Sequence, residues 1–341
     1  MDKEKDQGLN KKEALVADRL PESVAVSIVV ATLDRPDDLA NCLHHLTAQK
    51  TGRAVEIIVV DNNPRSGLTS PVVGRFPGIY LVRETRRGLS YARNAGILAS
   101  HGEILVTTDD DVTMPEDWLE KLLAPFARNN VMIVTGNVLP LELETPAQKQ
   151  FEMYGGLGKG FVRKEVGREY FDSFRFTAVR TWDLGATANA AFRARVLADK
   201  KVGLLPEELG PGTPTGVGED TYVFYRALKA DYTILYEPAA WVWHKHRRDM
   251  PALRRQIYNY SKGHVAYNLF TFFKDHDLRA LVRVLVGLPV FKAGRVVKCL
   301  LGRSSYPIGM IFLEIVGHLA GPFALLRSHF RVKREGRSKS C

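Results

Sequence analysis

Cysteine is scarce in this chain: three residues in 341, Cys42, Cys299 and Cys341, far apart and without metal-ligand spacing. That excludes a disulfide scaffold and a cysteine zinc site, and it implies a reducing compartment. An apolar leader is lacking as well. Residues 1–22, beginning Met1-Asp2-Lys3-Glu4-Lys5, carry mixed charge, which is not the pattern of a secretory signal. They read as a flexible N-terminal segment of a protein that stays in the cytosol or on its membrane face. A glycine-rich phosphate loop is also missing. Gly155-Gly156-Leu157-Gly158-Lys159-Gly160 is dense in glycine but follows no clear strand, so it reads as a mobile loop. What is there is ordinary globular composition, 45% hydrophobic and 25% charged, enough for one large domain and an appendage.

The net charge of +10 is unevenly spread. Residues 244–341 hold 19 Lys and Arg against 5 Asp and Glu, leaving 29 against 33 in residues 1–243. An acidic body therefore bears a basic C-terminal third. Such asymmetry points to nucleic acid or an anionic membrane. The basic residues are interleaved with long apolar stretches and carry no nucleic-acid motif, which favours the membrane.

The first half alternates strand-like and helix-like segments. Val24–Val30, Val55–Val60, Ile79–Val82 and Glu103–Thr108 read as strands, with helices over Pro36–Gln49 and Gly88–Ser100. Near-continuous apolar strands separated by helices imply a mostly parallel, Rossmann-like single sheet flanked by helices. In such sheets ligands gather beyond the carboxyl ends of the strands. Those ends are acidic here: Thr32-Leu33-Asp34-Arg35 after the first strand, Asp61-Asn62-Asn63 after the second, Asp109-Asp110-Asp111 after the fourth. Three adjacent acids repel one another unless a cation or hydrogen-bond donors offset them. They suit a divalent ion holding a diphosphate, or a solvated turn capping the next helix. Further on, Ala186–Arg193 reads as the start of a helix, and Gly216-Val217-Gly218-Glu219-Asp220 opens another that runs to about Ala230. Glu219-Asp220 fits either a dipole-favoured helix start or a general base kept ionised by it. Trp241-Val242-Trp243-His244-Lys245-His246 follows a strand over Tyr232–Tyr236.

Taken together and in this order, Ser27–Thr32, Asp61-Asn62-Asn63, Gly88-Leu89-Ser90-Tyr91-Ala92-Arg93-Asn94, the triple aspartate, Asn189 with Phe192-Arg193, and Gly218-Glu219-Asp220 resemble the family 2 glycosyltransferases of the GT-A fold over about residues 24–250. The resemblance implies an α/β GT-A catalytic domain, set at 23–250, that moves a sugar from a nucleotide-diphosphate sugar to a hydroxyl with inversion. It puts Thr32, Asp34, Asp61, Arg93 and Asp110 around the donor, and Asp109 and Asp111 on a divalent metal, Mn or Mg. It makes Asp220 the catalytic base and brings Glu219 and Asn189 to the acceptor. His244 matches a position that adds a metal ligand in some members, with His246 as its rival. The region Glu144–Trp182 shows no pattern that identifies the acceptor.

Residues 251–341 read as a helical, basic, membrane-associating region. Leu253–Phe273 is an aromatic-rich helix, and Leu278–Leu301 is apolar with interspersed Arg and Lys and a kink at Pro289. Tyr306–Leu326 has the length to span a bilayer, though Gly317, Gly321 and Pro322 weaken a helix there. Glu314 and His318 lie one turn apart, within reach of each other. An interfacial or re-entrant helix pair, a true span and a soluble packing layer all remain open. A cytosolic donor and an enzyme on the inner face suggest a lipid-linked or polysaccharide-precursor acceptor. A sugar-nucleotide pyrophosphorylase would need a phosphate-binding segment that Ala31–Arg35 does not supply, and the competing class is a non-catalytic glycan-binding or scaffolding protein on the same fold.

Overall fold

Strand β1, Val26–Thr32, is buried along its whole length because parallel neighbours flank it and helices cover both faces. The computed structural model describes residues 25–304 and 306–338, so the N-terminal segment 1–22 lies outside the described residues. From β1 the chain runs through α1 (Pro36–Thr47), β2 (Val55–Asp61), α2 (Thr69–Val73), β3 (Ile79–Arg83), α3 (Leu89–Ala99), β4 (Ile104–Asp109), the short β5 (Val112–Thr113), α4 (Trp118–Leu123) and β6 (Val131–Pro140). There follow α5 (Pro146–Tyr154), β7 (Lys164–Val166), α6 (Arg168–Ser173), β8 (Asn189–Arg193), α7 (Ala194–Ala198), α8 (Glu219–Lys229) and β9 (Thr233–His244).

The strands form one curled sheet in the order β3-β2-β1-β4-β8-β6-β9-β5, with β7 paired to β9. Its first half, β3-β2-β1-β4, is parallel, as the alternating pattern implies. Beyond β4 the sheet is mixed: β8 runs antiparallel to both β4 and β6, while β6 and β9 are parallel. This α/β arrangement is the GT-A fold expected from the sequence. The carboxyl ends of β1, β2 and β4 meet on one rim, since Thr32 registers with Asp61 and Ala31 with Asp109.

One local expectation fails. Ala186–Arg193 is not a helix start, because Asn189–Arg193 form β8 and the helix begins only at Ala194. Alanine favours helices in isolation, but Ala190, Ala191 and Phe192 are fully buried between two strands, where small side chains fit the covered sheet and packing overrides propensity. The glycine-dense segment 155–160 is tied down: Tyr236 Oη and Asn137 Nδ2 donate to Gly160 O, and Lys159 N donates to Asn137 Oδ1.

The C-terminal third is helical. α9 (Met250–Asp275) is capped by Asp249, whose carboxylate accepts from Ala252 N at 2.7 Å. After α10 (Leu278–Val282), a π-helical turn over Arg283–Gly287 runs without a break into α11 (Leu288–Leu300), and Pro289 follows that turn directly, where its ring removes one N–H from the continuous helix. α12 (Ile308–Glu335) is the one helix among the described residues long and apolar enough to cross a membrane. It nevertheless lies along α9. Gly317 and Gly321 make the close approach possible: a Cβ on Gly317 would meet Tyr258 O at 2.8 Å, and one on Gly321 would meet Val265 Cβ at 2.6 Å. Glu314, fully buried, does not reach for His318. It pairs with Lys292, accepts from Arg295 Nη1 at 2.9 Å and from Tyr306 Oη at 2.7 Å, and so fastens α12 to α11. The opposite face of α12 is apolar and exposed at Phe312, Val316, Leu319, Phe323, Leu326 and Phe330, a spacing of three and four residues. Gly321→Val should therefore overpack the α9–α12 seam and destabilise the fold by about 1–3 kcal/mol. A thermal melt within error of wild type would show that α12 does not depend on this contact.

Candidate functional site

Strand β4 ends at Asp109, the first of three successive acids, and each of them finds different company. Asp109 is bound by Arg93 Nη2 from α3. Asp110, 4% exposed, accepts from Thr32 Oγ1 at 2.6 Å and from Arg35 Nη1 at 2.9 Å. Asp111 takes the same Arg35 nitrogen at 2.7 Å. Burial pushes the Asp110 carboxyl up to about 6, with Arg35 holding it down and Asp111 adding to the rise.

β9 brings His244 to the same place, its Nε2 lying 3.4 Å from Asp111 Oδ1. Burial lowers the His244 pKa despite the acids, which keeps a neutral imidazole available. Asp109, Asp111 and His244 each offer one ligand atom, all within 4.8 Å of one another. Two carboxylates and a neutral imidazole suit a divalent ion such as Mn, and the residues present therefore fit the expected metal. His246 is placed differently: it is buried, its Nε2 is 2.9 Å from Glu152 Oε1, and its Nδ1 is 3.1 Å from His244 Nδ1. From there it can orient the His244 ring.

Two clefts meet at this cluster. One, of about 630 Å³, is bordered by Thr32, Asn62, Asp109–Asp111 and His244. The other, of about 520 Å³, opens toward Asp220, Lys159 and Trp182 and into the C-terminal helices. Asp109 and His244 line both.

Asp220 sits in the first turn of α8, part-exposed on the second cleft, with Oδ1 accepting from Thr221 N at 2.6 Å. Gly218 precedes the pair at φ 111°, a conformation unfavourable for other residues, and a Cβ there would also lie 3.0 Å from Tyr267 Cβ. Glu219 is 4% exposed and turns toward Arg93, 3.4 Å away. Burial first and the Asp220 charge second push its pKa up, against the pull of Arg93. Arg93 thus sits between Asp109 and Glu219 and borders the second cleft, not the first.

Other expected residues lie off the cleft walls. Asp61 is buried and caps Asn63 N at 3.0 Å, while exposed Asp34, at φ 57°, accepts from Asn63 Nδ2 at 2.8 Å. Asn189 is fully buried and its amide is spent on the scaffold. It donates to Asn137 O and Ala240 O, each at 2.8 Å, and accepts from Trp118 Nε1 at 3.0 Å. Those two carbonyls flank the register break where Gly136 pairs with Glu237 but Asn137 with Trp241. Asn189 therefore mends a bulge and borders neither cleft. The sequence reading missed Arg35, Arg87, Arg247 and Arg255, which border the first cleft and bring positive charge to it. Arg35 follows the first strand directly, and a search for cations facing the triple aspartate would have found it. Arg247 and Arg255 were counted with the basic C-terminal third.

Residues 27–195 match the family model described as Glycosyl transferase family 2. The chain is 27% identical over 201 residues to the pre-mycofactocin glycosyltransferase of Mycobacterium tuberculosis, 58% of this chain but 39% of that protein's length. It is 28% identical over 227 residues to the succinoglycan biosynthesis protein ExoM of Rhizobium meliloti, covering 65% of this chain and 67% of that one. The fold is similar to that of a mannosyltransferase from Pyrobaculum calidifontis solved with GDP-Man and Mn2+, with a TM-score of 0.51, 17% identity, and coverage of 95% of this chain and 80% of that one.

Manganese titrated into the protein should bind at Asp109, Asp111 and His244. His244→Ala should weaken it by about tenfold or more, and His246→Ala by less, since the latter acts only through the ring it orients. Equal losses in calorimetry would place both histidines on the ion.

Proposed function

The chain belongs to glycosyl transferase family 2, and on that footing we propose that it is an inverting, metal-dependent enzyme that moves a sugar from a nucleoside-diphosphate sugar to an acceptor hydroxyl. The observation that carries this reading is the meeting of two clefts at Asp109 and His244, with arginines around one and Asp220 on the other. The donor's diphosphate fits the first cleft, where Arg35, Arg87, Arg247 and Arg255 supply bidentate donors for phosphate oxygens. Asp109, Asp111 and His244 would hold the metal, which when bound offsets charge building on the departing diphosphate. Thr32 and Arg35 hold Asp110 beside that cleft.

Asp220 takes the proton of the acceptor hydroxyl. The freed oxygen forms its bond to the anomeric carbon while the bond from that carbon to the diphosphate oxygen breaks, and the nucleoside diphosphate leaves with the electron pair. A single displacement asks for one open carboxylate. Asp220 is that group, whereas Glu219 is buried and shifted toward its neutral form. Glu219 then acts as a positioning residue: through Arg93 it links the base to Asp109. Asp220→Asn should lower turnover by about 10³-fold or more while leaving nucleoside-diphosphate binding within about twofold, because a base acts on the transition state. Wild-type-like kcat in that variant would sink the assignment.

We place the protein on the cytoplasmic face of the cell membrane as a peripheral enzyme. Support comes from the apolar face of α12, continued by Leu285, Val286, Val290, Leu300 and Leu301 on the preceding helices. The other face of α12 is committed to α9 and, through Glu314, to α11, which favours interfacial attachment over a span. Leu319→Glu with Phe323→Glu should abolish binding to anionic vesicles and leave donor hydrolysis unchanged. Wild-type protein that stays free of such vesicles at low salt would refute the placement.

A further inference from the structure

The second cleft extends past Asp220 into a basin whose far wall is cationic. Arg283 enters it from the π-helical turn, Lys292 and Arg295 from α11, His264 from α9 and His318 from α12. A π turn adds one residue to the helix and so re-aims a side chain, which is a common device at binding sites. Glu314 answers Lys292 and Arg295 together, one carboxylate for two cations. Arg283 has no ion pair among the described residues. It lies over the Trp182 ring at 5.5 Å, and its buried Nε lacks a hydrogen-bond partner, as does the buried Nε2 of His264. A buried guanidinium N–H left without an acceptor is costly, so the place of Arg283 Nε on this wall suits an acceptor-rich group.

The electrostatics agree with the geometry. Burial, then the Arg295 and Arg283 charges, push Lys292 down to about 7, and burial with Lys292 and Arg283 pushes His318 down to about 4. Both shifts have neighbouring cations among their causes, and on this wall the single carboxylate of Glu314 answers two of the three. The rim of the basin is apolar. Leu288 and half-exposed Phe291 belong to it, and the exposed face through Val290 begins there.

We propose that this basin binds a phosphate group carried by the acceptor, with the acceptor hydroxyl directed to Asp220 and an apolar chain leaving over Phe291 toward the membrane-facing surface. The proposal rests on the glycosyl-transfer reading for the acceptor role, and on the basin's own chemistry for the anion. One bound phosphate would supply acceptors to Arg283, Lys292 and Arg295 at once. A tail leaving between Leu288 and Phe291 would continue onto the same apolar surface formed by α11 and α12, so attachment and acceptor binding would share one face.

The test uses the full chain, with chelator present so that the metal site is silent, and dodecyl phosphate below its micelle concentration as the probe. Calorimetry should show dodecyl phosphate binding more tightly than neutral dodecyl glucoside. Arg283→Gln should weaken the phosphate probe by about tenfold, Arg283→Lys should recover part of the loss, and nucleoside-diphosphate binding with manganese should stay within about twofold. Equal binding of the two detergents by wild type would overturn the proposal, and that comparison stands even if Arg283→Gln fails to fold. Inorganic phosphate binding as tightly as dodecyl phosphate would support the anion site but overturn the exit for an apolar chain. Alkyl-phosphate binding by a protein that shows no donor hydrolysis with manganese would support the basin and overturn the enzymatic reading behind the acceptor role.

Discussion

Carboxylates at three successive positions of a strand end cannot all be ionised side by side in a half-buried rim without opposite charge, and the layout of the site follows from how that charge is supplied. Asp110, the most buried of the three, is absorbed by Thr32 at the end of β1 and by Arg35 in the loop after it. That leaves Asp109 and Asp111 facing the same side, with His244 between the clefts. Arg93 balances Asp109 from below and touches Glu219, which couples the end of β4 to the first turn of α8 through one buried guanidinium.

The loops that border the donor cleft are held from the far end of the chain. Arg331 donates to Gly212 O and to Arg87 O, Arg337 pairs with Glu208, and Ser328 Oγ donates to Glu208 O at 2.6 Å. Asn62 completes this support, with its amide donating to Glu84 O and Arg86 O and accepting from Gly88 N. α12 consequently works as a strut: its middle rests on α9 and its end fixes the loop at residues 84–88 and the loop at 207–213. Removing residues 275–341 would take away those anchors along with the apolar surface, so a truncated chain loses order at the first cleft as well as that surface.

Strands with continuous apolar runs were legible in the sequence because burial on both faces leaves little else for them to be, and the acids at their ends were legible because polar residues after such runs must reach a rim. The choice between His244 and His246 was not legible, since a spacing of two puts both on one side of a strand, and only Glu152 on α5 draws the second away. The packing of Asn189 was hidden for a related reason: a polar residue in an alanine-rich stretch gives no hint that two carbonyls freed by a bulge on other strands take up its amide. Glu314 likewise had a visible neighbour one turn along, while its actual partners lie about twenty residues earlier on α11 and were invisible to local spacing.

The basic C-terminal third shows most clearly how composition can point in the right direction for an incomplete reason. Its excess of positive charge suggested an anionic surface, yet many of these side chains are engaged inside the protein. Arg247 and Arg255 border the donor cleft, Arg283, Lys292 and Arg295 line the basin, Arg248 pairs with Glu142 and Glu144, Arg279 with Asp277, and Arg337 with Glu208. Those charges face the two clefts and neighbouring acids. What is left for a lipid surface is the regular apolar stripe of α12, its continuation on α11, and exposed basic residues such as Lys298, Arg327, Lys333 and Arg334. Apolar contact then dominates attachment and charge contributes at its margins, where each basic side chain near an anionic surface is worth about 1 kcal/mol and is screened by salt. The same helices that carry the stripe also wall the basin beside Asp220, so under the proposed function the charge pattern would serve ligand binding first and membrane attachment second.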